Sequence, residues 1–416
     1  MPKEKFYFTG NSLSRRSLYS AFGSMISGRK KRCLSQSHEL LADYFNVSSD
    51  QIFLFSAGRM SVYALLKSLK LDSHDEVIVA GYTCVVLTNA VKFAGQPLKY
   101  VDINPENFNP NTESLQAMIS ERTKILILPH NFGITYQDIG KIKEEYPHLV
   151  IIEDVAHSFG SKDKAGQLCG TIGDASFFSL EYSKPVTAGM GGIMIINNRN
   201  LLPAFKSDFE HIETANTSGA MRILLTLYAM VLSRSKVTSF LHINSMRFLR
   251  RSKLGYATSK EEVEGIKPTN YPTRIHPILS CVLVQQLKDI ASINVRKREI
   301  VSQYAAILSK FKSIQTIDVE NAVLIRYPIL FGREVSLEQI NALRAEAISR
   351  GYRFGVWFND VVHPKGSFRY MYDEGTCKVG EWVSERILNL PVNAFHLPSK
   401  KQLAELESMI RKHGIN

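Results

Sequence analysis

Between residues 50 and 200, apolar runs of strand length alternate with segments of helical periodicity. Residues 51–55 read as a short strand, and 60–71 as a helix with Leu65, Leu66 and Leu69 on one side. The pattern then predicts strands over 76–80, 98–102, 125–129 and 149–154, separated by helices over 85–94, 112–119 and 136–146. Such alternation predicts an α/β fold, a mostly parallel sheet covered by helices on both faces. Ligands of such sheets lie at the carboxyl ends of the strands, where Ser56, Tyr82 and Asp154 fall.

Residues from 200 to about 270 break the alternation. A long helical pattern resumes over 277–308, with Leu283, Gln286 and Leu287 leading into the charged run Arg296-Lys297-Arg298. The tail shows short strands over 323–330 and 353–358 and helices over 337–349 and 400–412, the signature of a small α+β domain. The predicted organisation is a large domain over 1–270, with a basic and apolar insert at about 205–260, then the long helix and smaller domain over 271–416.

At 416 residues, 44% hydrophobic and 22% charged, the chain is long enough for this division and balanced like an ordinary globular protein. Its five cysteines (Cys33, Cys84, Cys169, Cys281, Cys377) include no CxxC pair. They argue against a disulfide framework or a thiolate zinc site, so no metal is expected, and they suit a reducing cytoplasm. Met1-Pro2-Lys3-Glu4-Lys5 leads into mixed polar and aromatic residues rather than the apolar core of a signal peptide. The longest mostly apolar window, 223–232, is too short to span a bilayer.

The net charge of +12 is concentrated. Residues 1–33 carry eight Lys or Arg against one Glu, and 222–253 carry seven against no acid, so the rest of the chain is close to neutral. Two basic segments on a balanced body suggest a local anionic partner, a phosphorylated substrate or a membrane surface, rather than a nucleic-acid groove. Apolar residues are interleaved with the charges of 222–253, including Leu224, Leu225, Tyr228, Leu241, Phe248 and Leu249. A helical cover on a partner subunit accounts for them more readily than peripheral contact with an anionic membrane, which stays open.

The candidate chemistry centres on Lys184, in the run Phe177-Phe178-Ser179-Leu180-Glu181-Tyr182-Ser183-Lys184-Pro185 ahead of Gly189-Met190-Gly191-Gly192. With Asp154 closing the strand upstream, it makes the pair that a pyridoxal phosphate enzyme needs: a lysine to hold the cofactor as a Schiff base and an acid to keep its ring nitrogen protonated. Taken singly, each residue has a commoner role, the lysine as a solvated side chain and the aspartate as a helix cap. Ser56-Ala57-Gly58-Arg59-Met60-Ser61 opens a helix, with a flexible Gly, a cation and two hydroxyls where a phosphate would bind, although such turns are more often simple caps. Ser179 offers a further hydroxyl, and His157 follows Asp154 by three positions.

In this order the pieces resemble the DegT/DnrJ/EryC1/StrS sugar aminotransferases, of fold type I among pyridoxal phosphate enzymes. The resemblance runs through Asp75-Glu76-Val77-Ile78-Val79-Ala80-Gly81-Tyr82-Thr83, Gly95-Gln96-Pro97, Pro129-His130-Asn131-Phe132-Gly133 and Glu153-Asp154-Val155-Ala156-His157-Ser158-Phe159-Gly160. It continues in Gly173-Asp174, the Ser179 to Lys184 motif, Gln285-Gln286-Leu287, Arg326-Tyr327-Pro328 and Leu388-Asn389-Leu390-Pro391. It implies pyridoxal 5'-phosphate as cofactor, Lys184 as Schiff-base lysine and proton carrier, and Asp154 as the pyridinium partner. It further implies His157 beside the ring, Ser179 on the phosphate, and Gly58, Arg59 and Met60 at the phosphate turn. Departures cluster at the cofactor. Cys84 stands where an aromatic often stacks on the ring, with Tyr82 as its candidate substitute. Glu181 replaces a frequent His, and Met190 the Glu of a Gly-Glu-Gly-Gly run.

Retention of Lys184 favours amine transfer over dehydration, since the dehydratase relatives lack it. The resemblance implies a cytoplasmic homodimer that moves an amino group, from glutamate, to a nucleotide-linked keto sugar for a surface polysaccharide or secondary metabolite. Trp357, Phe358 and His363 fall where the small domain of relatives approaches the sugar, although core packing explains the two aromatics equally well. Two alternatives remain at this stage: a member of the family acting on a non-sugar substrate, and a non-catalytic member serving as regulator or scaffold.

Overall fold

The computed structural model describes residues 13–232, 259–352 and 354–416. Most of the basic segment 222–253, much of the insert expected at 205–260, and Arg353 lie outside the described residues.

Seven strands form the main sheet: β1 (Ile52–Phe55), β2 (Glu76–Ala80), β4 (Leu98–Val101), β5 (Thr123–Pro129), β6 (Val150–Asp154), β7 (Ala175–Ser179) and β8 (Gly192–Ile196). Their order is β1-β8-β7-β6-β5-β2-β4. All contacts from β7 through β4 are parallel, and β8 runs antiparallel to both β1 and β7. The apolar runs are nearly continuous because helices cover both faces, so successive residues of β2 and β8 are buried whichever way they point. The expected α/β architecture is therefore present, with the strand ends within one or two residues of the apolar pattern.

Helix Pro277–Leu308, 32 residues long, packs on helices Arg15–Ile26 and Lys30–Phe45. It is the one helix among the described residues long and apolar enough to cross a membrane. Here the apolar positions serve the interior: Leu283, Leu287, Ile290, Ile300 and Tyr304 are all buried.

Beyond it, β9 (Arg326–Leu330) and β11 (Ile387–Pro391) pair antiparallel over five residues. Around them lie helices Leu337–Ser349 and Lys400–Lys412, each opened by a Ser–Gln capping box (Ser336 with Gln339, Ser399 with Gln402), and helix Lys378–Arg386. Their apolar core takes in Phe331, Leu343, Leu390 and Leu406, and also Tyr82, Phe108 and Phe132 from loops of the main sheet.

The strand expected over 353–358 is a correction. Gly355 makes a single bridge to Asn389, and the backbone beyond it is held by side chains instead of a ladder. Trp357 N–H donates to Asn389 Oδ1 at 2.6 Å and its carbonyl accepts from Asn389 Nδ2 at 3.0 Å. Phe358 N–H donates to the Tyr82 hydroxyl at 2.8 Å, which in turn donates to the Phe358 carbonyl at 3.1 Å. These bonds satisfy an irregular buried loop as a strand partner would. A short parallel pair, β3 (Thr83–Cys84) with β10 (Val362–His363), then sets His363 beside Cys84.

Candidate active site

The parallel strands end at one edge, and the reactive groups collect there. Asp154, the last residue of β6, lies between Pro129 of β5 and Phe177 of β7. Its Oδ1 accepts the Ala156 N–H at 3.0 Å. Burial pushes its carboxyl up from the ordinary range, and that hydrogen bond and Lys184 pull it part of the way back.

Side chains alternate along a strand, so the preceding Glu153 faces away from the site. It is wholly buried. Its Oε1 accepts from Ile172 N–H and Gly173 N–H, both at 2.7 Å, and its Oε2 from Gly170 N–H at 2.7 Å and His130 Nε2 at 3.0 Å. His130 Nδ1 accepts the Tyr136 N–H at 3.0 Å, so Nε2 carries the hydrogen. Glu153 thus pins the loop beneath the site while Asp154 faces the chemistry.

Strand β7 delivers Ser179, after which the chain turns and the Lys184 N–H donates to the Glu181 carbonyl at 2.9 Å. The Glu181 carboxylate accepts from Ser183 N–H at 2.9 Å and from the Ser183 hydroxyl. Lys184 Nζ lies 4.8 Å from the Trp357 ring centroid. Burial pushes the Lys184 amine below its ordinary pKa, against the pull of Glu181, Cys84 and Asp154, and Arg326 pushes the same way as burial.

Trp357 forms the wall facing Lys184. Arg326 Cζ is 3.6 Å from its ring centroid, and His157 stacks on it at 5.0 Å with 25° between planes. The indole N–H donates to His363 Nε2 at 3.0 Å, and His363 Nδ1 meets Asn359 Oδ1 at 2.7 Å, which fixes a neutral imidazole protonated on Nδ1. Burial, then Arg326 and Lys184, hold His363 down to about 3. His157 is also held well below its usual value, by burial and then Lys184, and its Nδ1 accepts the Phe132 N–H at 3.4 Å. Arg326 is pushed down to about 9 by burial, partly offset by Glu181.

On the other side, helix Gly58–Ser68 starts directly after β1 with Ala57 as cap, and no side chain caps its first turn. Two close approaches fix that turn next to Ser179. A Cβ on Gly58 would lie 2.8 Å from the Phe178 carbonyl oxygen, and one on Gly192 would lie 2.4 Å from the Gly58 nitrogen. An open helix start beside a hydroxyl is a cradle for a phosphate, and an acid, a lysine of lowered basicity and a flat aromatic wall stand across from it. This donor set fits a pyridoxal phosphate.

Some candidates are used differently from the expectation. The Ser61 hydroxyl donates to the Gly58 carbonyl at 2.7 Å, and that of Ser56 to the Arg274 carbonyl at 2.9 Å, so these hydroxyls serve the backbone. The Arg59 guanidinium forms a two-pronged ion pair with Glu262, through Nε to Oε1 and through Nη2 to Oε2 at 2.7 Å. Met60 Sδ accepts the Thr273 hydroxyl at 3.6 Å. Tyr82 is fully buried among Phe108, Phe132 and Phe358 and reaches the site through the Phe358 backbone. Cys84 lies within the electrostatic reach of Lys184, Arg59 and Asp154, with burial pushing its thiol up.

Residues 38–402 match the model of the DegT/DnrJ/EryC1/StrS aminotransferase family. The chain belongs to that family. Its cofactor is pyridoxal phosphate, and it is an aminotransferase. An uncharacterized protein of Methanocaldococcus jannaschii is 25% identical over 364 residues, 85% of this chain and 83% of that one. GDP-perosamine synthase of Escherichia coli O157:H7 is 34% identical over 148 residues, which span 35% of this chain and only 40% of that enzyme. Among solved structures, PseC of Helicobacter pylori, an aminotransferase involved in the biosynthesis of pseudoaminic acid, superposes with a TM-score of 0.74. It is 16% identical, with 98% of this chain and 99% of that one covered.

Sequence reasoning did not assign roles to Glu153, Glu262, Asn359 or Arg326. Arg326 carried a signal, since it opens an apolar strand where a buried cation needs a reason. Glu153 and Glu262 are legible only through partners far away in the chain, and Asn359 only through the turn that brings His363 back to it.

Proposed function

We propose that the protein transfers an amino group from glutamate to a nucleotide-linked keto sugar, as a homodimer. The observation that carries this reading is the convergence of Lys184, Asp154 and Trp357 across from the open start of helix Gly58–Ser68. When bound, the cofactor supplies a ring that withdraws electrons from the substrate carbon. Asp154 would keep the ring nitrogen protonated. The first-turn amides of Gly58 and Arg59, with the Ser179 hydroxyl, would hold the phosphate, with Met60 beside them donating its own N–H to the Ala57 carbonyl at 3.1 Å, while Glu262 takes up the Arg59 guanidinium. His157 and Cys84 would border the ring, and Tyr82 positions Trp357 and Phe358 through its two bonds to the Phe358 backbone.

Lys184 Nζ serves as covalent anchor and as general acid and base, a role that suits an amine kept towards its neutral form by burial. Arg326, a buried cation beside Glu181 and Trp357, receives the carboxylate of the amino donor. His363, Asn359 and Trp357 line the path of the sugar. The partial match to GDP-perosamine synthase and the superposition on PseC support a sugar nucleotide as acceptor.

Borohydride reduction of the cofactor-loaded protein should fix the cofactor mass on the peptide that carries Lys184, and Lys184→Ala should remove both the label and amine transfer. Incubation with glutamate and a panel of keto sugar nucleotides, followed by mass spectrometry, tests the acceptor. A labelled Lys184 and an active glutamate half-reaction with no product from the panel would refute the sugar reading.

A further inference from the structure

We infer that the outer face of helix Arg15–Ile26, with the adjoining side of helix Thr217–Leu232, is a docking surface for an anionic lipid membrane. Arg15, Tyr19, Phe22 and Ile26 are spaced by four, three and four residues and so lie on one face, beside the buried stripe of Leu18, Ala21 and Met25. That face is unusually apolar for a surface: Tyr19 is 59% exposed, Phe22 49% and Ile26 71%. On the neighbouring helix Met221, Leu225 and Tyr228 repeat the spacing, with Leu225 64% exposed. The two faces join where the Phe22 and Tyr228 rings meet edge to face at 5.9 Å and the Tyr228 hydroxyl donates to the Leu18 carbonyl at 2.9 Å. Scattered exposed apolar residues are ordinary, whereas a contiguous set marks an interaction surface.

The charge around the patch selects its partner. Arg15 and Arg16 flank one end, Arg29, Lys30, Lys31 and Arg32 the other, and Arg222 lies on the second helix; all are exposed. No acid occurs between Glu4 and Glu39 or between Glu213 and Glu261. A second copy of the same face would oppose cation to cation, and a nucleic acid would leave the aromatic and aliphatic stripe unburied. An anionic bilayer satisfies both features, taking the apolar side chains at its interface and the cations at its headgroups. The first of the two helices also precedes the segment matched by the family model, which begins at residue 38. The surface is thus built in part from chain outside the matched aminotransferase segment.

The test uses the full chain loaded with cofactor, floated with vesicles of phosphatidylcholine alone or mixed with phosphatidylglycerol. Binding to the anionic vesicles should exceed binding to the neutral ones by about tenfold or more and fall steeply with added salt. Phe22→Glu and the paired change Lys30→Glu with Lys31→Glu should each reduce it by about tenfold. Both variants should keep the wild-type glutamate half-reaction, and Phe22→Glu, which also loses the ring contact with Tyr228, should lower the melting temperature only slightly. Equal partition onto both vesicle types, absence of binding, or Phe22→Glu binding like wild type would overturn the assignment. So would a smaller oligomer for Phe22→Glu by light scattering, which would give the face to a second copy.

Discussion

Two adjacent acids at the end of β6 should respond to mutation in opposite ways. Glu153 accepts four hydrogen bonds, from three backbone N–H groups and His130, with its side chain wholly buried. In Glu153→Gln an NH2 group replaces one of the two oxygens, so two of those donors face another donor. His130 cannot relieve this by moving its hydrogen, because Nδ1 already accepts from Tyr136. An unsatisfied buried donor costs about 1–3 kcal/mol, so the substitution should lower stability by about 2–6 kcal/mol. Asp154, by contrast, is a carboxylate that burial disfavours, with its pKa raised in the folded protein. Asp154→Asn should therefore leave stability unchanged or raise it slightly while abolishing amine transfer. Urea denaturation followed by circular dichroism, with and without cofactor, reads both effects. A loss below about 1 kcal/mol for Glu153→Gln would refute the view that this carboxylate pins the loop.

Three further outcomes follow from the geometry. His363 has a folded pKa of about 3, below its unfolded value, so the unfolded chain binds the extra proton between about pH 6.5 and 3. Stability should be fully present above pH 6.5 and fall on acidification, by at most about 1.4 kcal/mol per pH unit from this group, with His157 adding in the same direction; melting curves of His363→Gln should show a shallower decline. Tyr82→Phe leaves the buried Phe358 N–H and carbonyl without their partner and should cost about 1–3 kcal/mol, and by loosening the seat of Trp357 it should raise the KM for the acceptor, measured by steady-state kinetics. Gly192→Ala would put a Cβ within 2.5 Å of the backbone of Ala57 and Gly58, so cofactor titration should show at least a tenfold loss of affinity, about 1.4 kcal/mol.

The sequence by itself determined the layered α/β fold and the location of Asp154 and Ser179 at strand ends, with Lys184 in the turn that follows Ser179. Both depend on local quantities: the length of an apolar run, its period, and the residues at its end. The same pattern could say that Glu153 and Asp154 point in opposite directions, but not which of the two faces the ligand. That depended on which layer of helices and loops covers each side of β6. Arg59 looked like a free cation at a phosphate turn until Glu262, 203 residues away, was brought against it. Tyr82 looked like a ring to stack on the cofactor until Phe358, 276 residues on, took both capacities of its hydroxyl. The wall of the site likewise comes from the pairing of Thr83–Cys84 with Val362–His363 and from Arg326, Trp357 and His157 stacked together. Chain periodicity encodes which face of an element is apolar, whereas the partner of a polar group is fixed only when distant faces pack and each buried donor must find an acceptor.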